Sequence, residues 1–594
     1  MRPLRVGVVL GSALALAGAA LPGRSRVAPT VRYHVHVDSA SGQIDVTMTA
    51  GGIGGPLRLG MQVHPFYNSG YWNRIQFVPE ASVRRLDATL WQAPASDPTS
   101  LHWMVRAPNR LERPAWETVV RPDGALLNPP DIFLYPVDHA ERRVEVELDV
   151  PKSWRVVTSL QRVDSTGTLW AGDAATLLDS PILLGDVRTW RFSDRGNDFT
   201  VAYWPLPIAT PFDTLSLVDE LRRIAGAALD VFHSTPGKRY AFLLQDGADD
   251  ALEHRSTLTI GVPSTDLAAD PRTHLQEITH EFFHAWNLVT IRPDEFMTLM
   301  HRHPPPTTGL WWGEGVTLHY ADVLPRRAGL RDTSDTRQRH VEALLSAYAR
   351  APWATRVSPE AASLAADSSI LNTRNATGSY YLQGELLANA LDALVRDSST
   401  DRRTLDDVNR ALYAHSQGVS RGLTSRAWEL IADSACGCKL HGFFETYVRH
   451  AGRISLDGAM ARLGWRIVTD TVPATDDAGN AMPDLRVRAI ASSGALRVYL
   501  PDAASAWART GLSNGDVIVA LDGQPVDSQY SQFYGPLRRH HVGDTTTLDV
   551  RHDGTILHVT IPLTGYDRPR VRLADMPTVT PEQRARRQRW LSGW

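Results

Sequence analysis

The run Asp270-Pro271-Arg272-Thr273-His274-Leu275-Gln276-Glu277-Ile278-Thr279-His280-Glu281-Phe282-Phe283-His284-Ala285-Trp286-Asn287 holds the densest chemical signal in this 594-residue chain. Asp270 and Pro271 read as the N-cap and first residue of a helix, and Leu275, Ile278, Phe282 and Trp286 recur at the spacing of one helical face. A helix over 270–287 puts His280 and His284 one turn apart on the same side. Two imidazoles so placed can share a tetrahedral zinc, and Glu281 between them can act as general base on a water that the metal activates. With 21 His in the chain, an H-E-x-x-H run arises by chance about four times in a hundred at this length. The run therefore needs the companions such a site requires.

A zinc site of this kind takes a third protein ligand and keeps its fourth position open. Downstream, Leu310-Trp311-Trp312-Gly313-Glu314-Gly315-Val316-Thr317-Leu318-His319-Tyr320 reads as a helix with one carboxylate among aromatic residues, and Glu314 is assigned as that ligand. His301 and His303 are rivals in a Pro-rich loop that preorganises them poorly, and His319 lies well over a turn past Glu314. The two histidines also need partners for their second ring nitrogens, and Asp322 is the candidate.

Outward from this centre, the chain divides by periodicity. From about Val31 to Phe192, short runs alternate apolar and polar residues, as in Val31–Val37 and Arg143–Val150, which predicts an all-β region. Leu215–Phe232, Thr273–Val289 and Tyr380–Val395 have helical periodicity within a mainly helical section with some strands. Short strands and Gly turns return after Ile467, and an Arg-rich tail opens with Thr580-Pro581-Glu582-Gln583, a capping-box pattern that predicts a helix docked on the body. Arg2 and Arg5 before an apolar stretch to about Ala20, with Ala17-Gly18-Ala19 as the cleavage segment, read as a secretory signal peptide. Lys plus Arg (62) nearly balances Asp plus Glu (65), so no global field draws in nucleic acid or an anionic bilayer. The two cysteines, Cys436 and Cys438, are too few for a disulfide framework and read as inert thiols or a local clip.

These motifs resemble the glycyl aminopeptidases, HEXXH zinc metallopeptidases of the gluzincin type. His280–Asn287 followed by Ile291-Arg292-Pro293 looks like that family's zinc-helix motif, Trp312–Gly315 with Leu324–Leu330 like its third-ligand segment, and Asn128-Pro129-Pro130 and Leu405–Val408 also match. The resemblance implies an α+β multidomain chain with a β-rich N-terminal domain at 28–192, a thermolysin-like catalytic domain at 193–466 and a PDZ domain at 467–567, between the signal peptide read at 1–20 and the tail helix read at 568–594. Tyr380-Tyr381-Leu382-Gln383-Gly384 is similar to the family's Tyr-x-Lys-Gly segment, which implies Tyr381 as the donor that stabilises the oxyanion. Leu252-Glu253-His254 is similar to its Gly-Gly-Leu-Glu-His strand, which implies that Glu253 binds the substrate's free ammonium. The chain departs from the pattern with Asp250 and Ala251 in place of the two glycines and with Gln383 in place of Lys. Ser493–Val498 and Ala503–Gly523 look like a PDZ domain with Gly494, Ala495 and Leu496 as its carboxylate loop, a module that binds extended C-termini.

The expected function is a periplasmic or secreted zinc peptidase with one Zn2+ per chain, metal ligands His280, His284 and Glu314, and general base Glu281. It acts on peptides, and the resemblance implies removal of N-terminal Gly or Ala. Within the enzyme class the alternative is an endopeptidase, should Asp250, Ala251 and the 294–309 loop leave the cleft open on the amine side. From another class comes a peptide-binding adaptor that works through its PDZ domain alone. No nucleic acid and no stable membrane anchor are expected.

Overall fold

The computed structural model describes residues 30–63, 70–79, 83–108, 113–163, 167–296, 302, 305–331, 335–366, 379–418, 421–476, 478–492, 495–527 and 530–594. The expected signal peptide, His301, His303 and Gly494 lie outside these residues. Strand β1 (Val31–Asp38) buries Val31, Tyr33, Val35 and Val37 and exposes the residues between them, the period-two pattern of a strand with one wet face. It pairs antiparallel with β2 (Gln43–Ala50), which in turn pairs with β3 (Thr99–Arg106). On its other side β1 runs parallel to β4 (Val144–Asp149). These strands belong to a seven-stranded sheet that ends at β6 (Gln161–Arg162); β5 (Arg155–Val157) ends a four-stranded sheet of the same N-terminal body. Two large core residues there are fully paired, with Tyr33 Oη donating to Leu134 O at 2.7 Å and Trp103 Nε1 to Ile132 O at 2.9 Å, so their burial leaves no polar atom stranded.

A second sheet has the order β7 (Arg188–Asp194), β8 (Asn197–Trp204), β9 (Arg239–Gln245), β11 (Thr257–Gly261), β10 (Ala251–Glu253). Its three middle strands are parallel and both edges antiparallel. The boundary expected at residue 193 cuts β7, whose pairings from Arg188 to Asp194 all go to β8. Alternation reveals that a segment is a strand but not which sheet it joins, which explains the misplaced boundary.

Helices α1 (Thr214–Phe232) and α2 (Leu275–His284) pack on this sheet, and α3 (Leu310–Arg327), α4 (Asp335–Ala349), α5 (Ser379–Ser398) and α6 (Leu405–Ser416) build the helical layer beyond them. Helix α2 is shorter than expected. Asp270 follows a short helix, Ser264–Ala269, and turns the chain: its carboxylate accepts from Arg272 N at 3.0 Å and its carbonyl from Thr273 Oγ1 at 2.9 Å. His274, not Asp270, occupies the N-cap position. Asp-Pro is the signature of a turn as much as of a helix start, and local hydrogen bonding settled it for the turn.

Strand β12 (Trp465–Pro473) and β15 (Asp567–Asp575) form an antiparallel ribbon docked on α4, where Val571 N donates to Ser346 Oγ and Leu573 N to Glu342 Oε1. Between them lies the expected PDZ module, with β13 (Arg488–Ser492) at a sheet edge beside β14 (Ala495–Tyr499) and α7 (Tyr530–Leu537). Ala495 and Leu496 belong to β14, and Leu496 is buried in the domain's core, so they are not a carboxylate loop. Ala495 pairs with Ser492 of β13, which places it in a strand ladder. The tail helix α8 (Pro581–Ser592) has the expected capping box of Thr580 and Gln583 and docks through buried Trp590. Cys436 and Cys438 are bonded to each other. Among the described residues, no helix is long and apolar enough to cross a membrane.

Candidate metal centre and substrate edge

Helix α2 lies against α3 and the edge strand β10, and its buried Ile278, Phe282 and Phe283 leave His280 and His284 on the face toward Glu314 of α3. His280 Nε2 and His284 Nε2 are 3.0 Å apart, and each lies 3.3 Å from Glu314 Oε2. Ligand atoms about 2.0–2.1 Å from a tetrahedral zinc stand about 3.3 Å from one another, so the three donors fit the edges of one coordination tetrahedron. The remaining ring nitrogen of His284, Nδ1, is 3.0 Å from Asn287 O. Its N–H donates there, which leaves Nε2 as the ligand atom. Asn287 is fully buried and its side-chain amide donates to Trp312 O, Gly313 O and Thr317 Oγ1 at 3.0–3.1 Å, tying the end of α2 to the start of α3. His280 Nδ1 has no hydrogen-bond partner among the described residues. Asp322, the expected partner, is instead held by Arg326 on its own helix, 2.6 Å away, with Arg331 and Arg337 nearby. The eight residues from Glu314 to Asp322 span more than two turns and carry its side chain away from the donors.

Electrostatics concentrate at this cluster. Burial acts to raise the Glu314 carboxyl, but the charge of His284 and hydrogen bonds from both imidazoles overcome it and bring it to about 2. Burial acts to lower His284, yet Glu314, Glu253 and Glu281 raise it to about 10. Burial, then His284, keeps His280 below its ordinary value. The Glu281 carboxyl is pushed well up, chiefly by burial and then by Glu253 and Glu314, with His284 opposing. The carboxylates and imidazoles thus compensate one another's charge. His319, the third rival ligand, is buried apart from them and held down to about 3 by burial and Arg337.

Three family models match the chain: M61 glycyl aminopeptidase over residues 273–387, the M61 N-terminal domain over 79–186, and a PDZ domain over 483–563. The chain belongs to the M61 glycyl aminopeptidase family. It is therefore a peptidase. An aminopeptidase N family protein from Idiomarina loihiensis, known from a crystal structure, shares the fold: the match covers 94% of this chain and 100% of that one at a TM-score of 0.75 and 21% identity. An M1 zinc metallopeptidase from Deinococcus radiodurans matches over 72% of this chain and 94% of its own, at 16% identity and a TM-score of 0.45, too loosely to carry an argument. No curated protein sequence matches.

In this M61 peptidase, Glu253 ends the edge strand β10, close enough to the donors that its carboxyl is raised by burial and Glu314 and lowered by His284. The preceding Asp250 has φ 58°, in the left-handed region where glycine is the easy choice and Asp among the better substitutes. The chain thus keeps the turn without its glycine and gains a carboxyl, itself raised by burial, Glu277 and Asp249. Gln383 does not face the donors: it is fully buried and its amide donates to Ala354 O and Val357 O at 2.6 and 3.0 Å, bonds a lysine could also make. Tyr381 lies one turn before Gly384, where α5 crosses α3 in backbone contact at Gly315, next to Glu314. A Cβ on Gly315 would collide with the Gly384 backbone. Gly315→Ala is therefore expected to destabilise the protein by about 3 kcal/mol and to displace Glu314, read as a lower urea midpoint together with weaker metal retention; unchanged values for both would remove the close crossing as a determinant of the site.

Several residues around the centre were not foreseen. Asp179 of the N-terminal body accepts from Arg255 N at 3.1 Å and lies 3.2 Å from His254 Nδ1, bracing the turn after Glu253. Arg113 and Ala115 of the same body exchange backbone hydrogen bonds with Asp249 at 2.7 and 2.8 Å, fixing the turn before it. Tyr240, buried beneath with no partner for its hydroxyl among the described residues, feels the charges of Glu281, Asp179 and Glu253. Only Asn287 carried a local signal, three residues beyond the second histidine.

Proposed function

We propose that the protein is an exported zinc aminopeptidase that removes small N-terminal residues, Gly or Ala, from peptides. The observation that carries this reading is the meeting of three donors at tetrahedral spacing with the Glu253 carboxylate on the adjoining edge strand. A zinc ion held by His280, His284 and Glu314 would polarise the scissile carbonyl and acidify the attacking water. Glu281 takes that water's proton and passes it to the leaving amine. The Tyr381 hydroxyl donates a hydrogen bond to the developing oxyanion, which its place one turn before the α3–α5 crossing supports. Glu253, with Asp250 nearby, accepts the substrate ammonium, so the chain's free end is registered one residue from the scissile bond. Export is supported by the Arg2-to-Ala20 segment, and peptide binding at the PDZ domain by its exposed strand edge β13 beside α7.

The test is hydrolysis of Gly and Ala arylamides and of one N-blocked peptide, with and without chelator, by the parent and by Glu253→Gln. Losing one charge-assisted hydrogen bond of about 1.5–3 kcal/mol should lower kcat/KM on the free-amine substrates roughly 10–100-fold, with the blocked peptide not cleaved by either protein. Efficient cleavage of the blocked peptide would make the enzyme an endopeptidase and leave Glu253 without the assigned role.

A further inference from the structure

Two cavities of about 980 and 610 Å3 lie along the seam between the N-terminal body and the catalytic sheet, and they share Ser159, Leu160, Gln161, Arg239 and Ser256, so they form one trench. Its walls carry Arg155, Arg162, Arg191, Lys238, Arg239 and Arg255. The carboxylates on the same walls are already engaged: Asp173 accepts from Thr176 N at 2.7 Å, Asp179 from Arg255 N with His254 alongside, and Asp198 from Ser193 Oγ at 2.7 Å. Arg155 donates to Val187 O and Thr189 Oγ1. Among the described residues, the side chains of Arg162, Arg191, Lys238 and Arg239 have no hydrogen bond or ion pair. Three strands bordering the larger cavity, β5, β6 and β7, are each the terminal strand of their sheet. Terminal strands offer unpaired backbone groups to an extended chain. Arg255 on the wall of the smaller cavity is two residues past Glu253 in the chain.

From this juxtaposition of a cationic trench, free sheet edges and the strand end beside the metal ligands, we infer that the trench binds acidic segments of the peptide substrate outside the catalytic centre. The inference rests on the aminopeptidase reading above and narrows its substrate class to peptides rich in Asp and Glu beyond the cleaved bond. Guanidiniums pair with carboxylates in charge-assisted bonds while the strand edges hold the backbone, so recognition depends on charge and extension rather than on one side chain. Long-range attraction by exposed charges also makes it sensitive to salt.

The experiment compares kcat/KM for an Ala arylamide and for three Ala-initiated dodecapeptides of equal length with Glu-rich, Gly/Ser-rich and Lys-rich tails, at 20 and 500 mM salt. It uses the full chain and Arg191→Glu/Arg239→Glu, with the thermal midpoint of each protein as the check on folding. The expected result is at least tenfold higher kcat/KM for the Glu-rich than for the Gly/Ser-rich peptide, expressed in KM, falling below twofold at 500 mM salt and in the double variant. Equal values for the two tails in the parent, or a preference that survives in the folded double variant, overturns the inference. Should the arylamide not be cleaved, the aminopeptidase reading fails by itself, and the trench is judged by fluorescence anisotropy of the labelled Glu-rich peptide. Binding of a DNA oligonucleotide or anionic vesicles without binding of that peptide also overturns it.

Discussion

Glu281→Gln is expected to reduce peptide hydrolysis by roughly a thousand-fold or more while leaving metal content at one ion per chain. The substitution keeps the size of the side chain and one hydrogen-bonding oxygen, but the amide cannot accept the proton of the attacking water. Glu281 is buried at the end of α2 between the two imidazole ligands, and its carboxyl is driven well up by burial and by Glu253 and Glu314. A divalent cation on the neighbouring donors opposes that rise by adding positive charge, so metal loading makes Glu281 the ionised base the reaction needs. Sign follows from this: activity is low where the carboxyl is protonated and rises with pH as it ionises. The check is a pH profile of kcat/KM for the parent beside metal analysis of the variant. A variant that binds metal normally and still turns over within tenfold of the parent would move the base to another residue.

The catalytic helix was legible because its chemistry and its period sit in one short stretch: a spacing of four residues is one helical turn whatever surrounds it. Glu314 was legible for a related reason, as one carboxylate within a run of Trp, Gly, Val and Leu that has to be buried. What the sequence did not reveal depends on contacts made far along the chain. Asp179 reaches His254 across 75 residues, and no periodicity announces such a meeting. Asp322 was the next acidic residue after Glu314 along the chain, yet helix geometry turned it toward Arg326. The start of α2 at Leu275 instead of Asp270 came from a five-residue competition between a cap and a turn that share the same residue preferences. The carboxylate-loop reading of Ala495 and Leu496 failed likewise, since small residues beside a glycine suit the start of a strand as well as a ligand loop, and only the pairing with β13 tells them apart. Gln383 looked like a departure at the centre and is one of backbone support, a distinction that only the direction of its amide toward Ala354 and Val357 makes.

Glu314→Gln is expected to weaken zinc binding by more than the 10–100-fold typical of an outer-shell partner, because it removes both a donor and the charge that organises the pair of histidines. The pH dependence distinguishes these two contributions. Without metal, His284 holds its proton up to about 10, chiefly because Glu314 outweighs burial. A metal can take Nε2 only when that proton leaves, so at any pH below about 10 binding releases it, and affinity rises as pH rises, about tenfold per unit. In Glu314→Gln the main charge that raises His284 is gone, and burial pulls its proton affinity down. The variant should therefore release fewer protons per zinc at pH 8 and show a shallower rise of affinity with pH, although its affinity is lower throughout. Zinc titration in a weakly buffered indicator dye, from pH 6 to 9, measures both quantities at once. Equal proton release by parent and variant would mean that Glu314 acts only as a donor and that the high proton affinity of His284 has its source in Glu253 and Glu281.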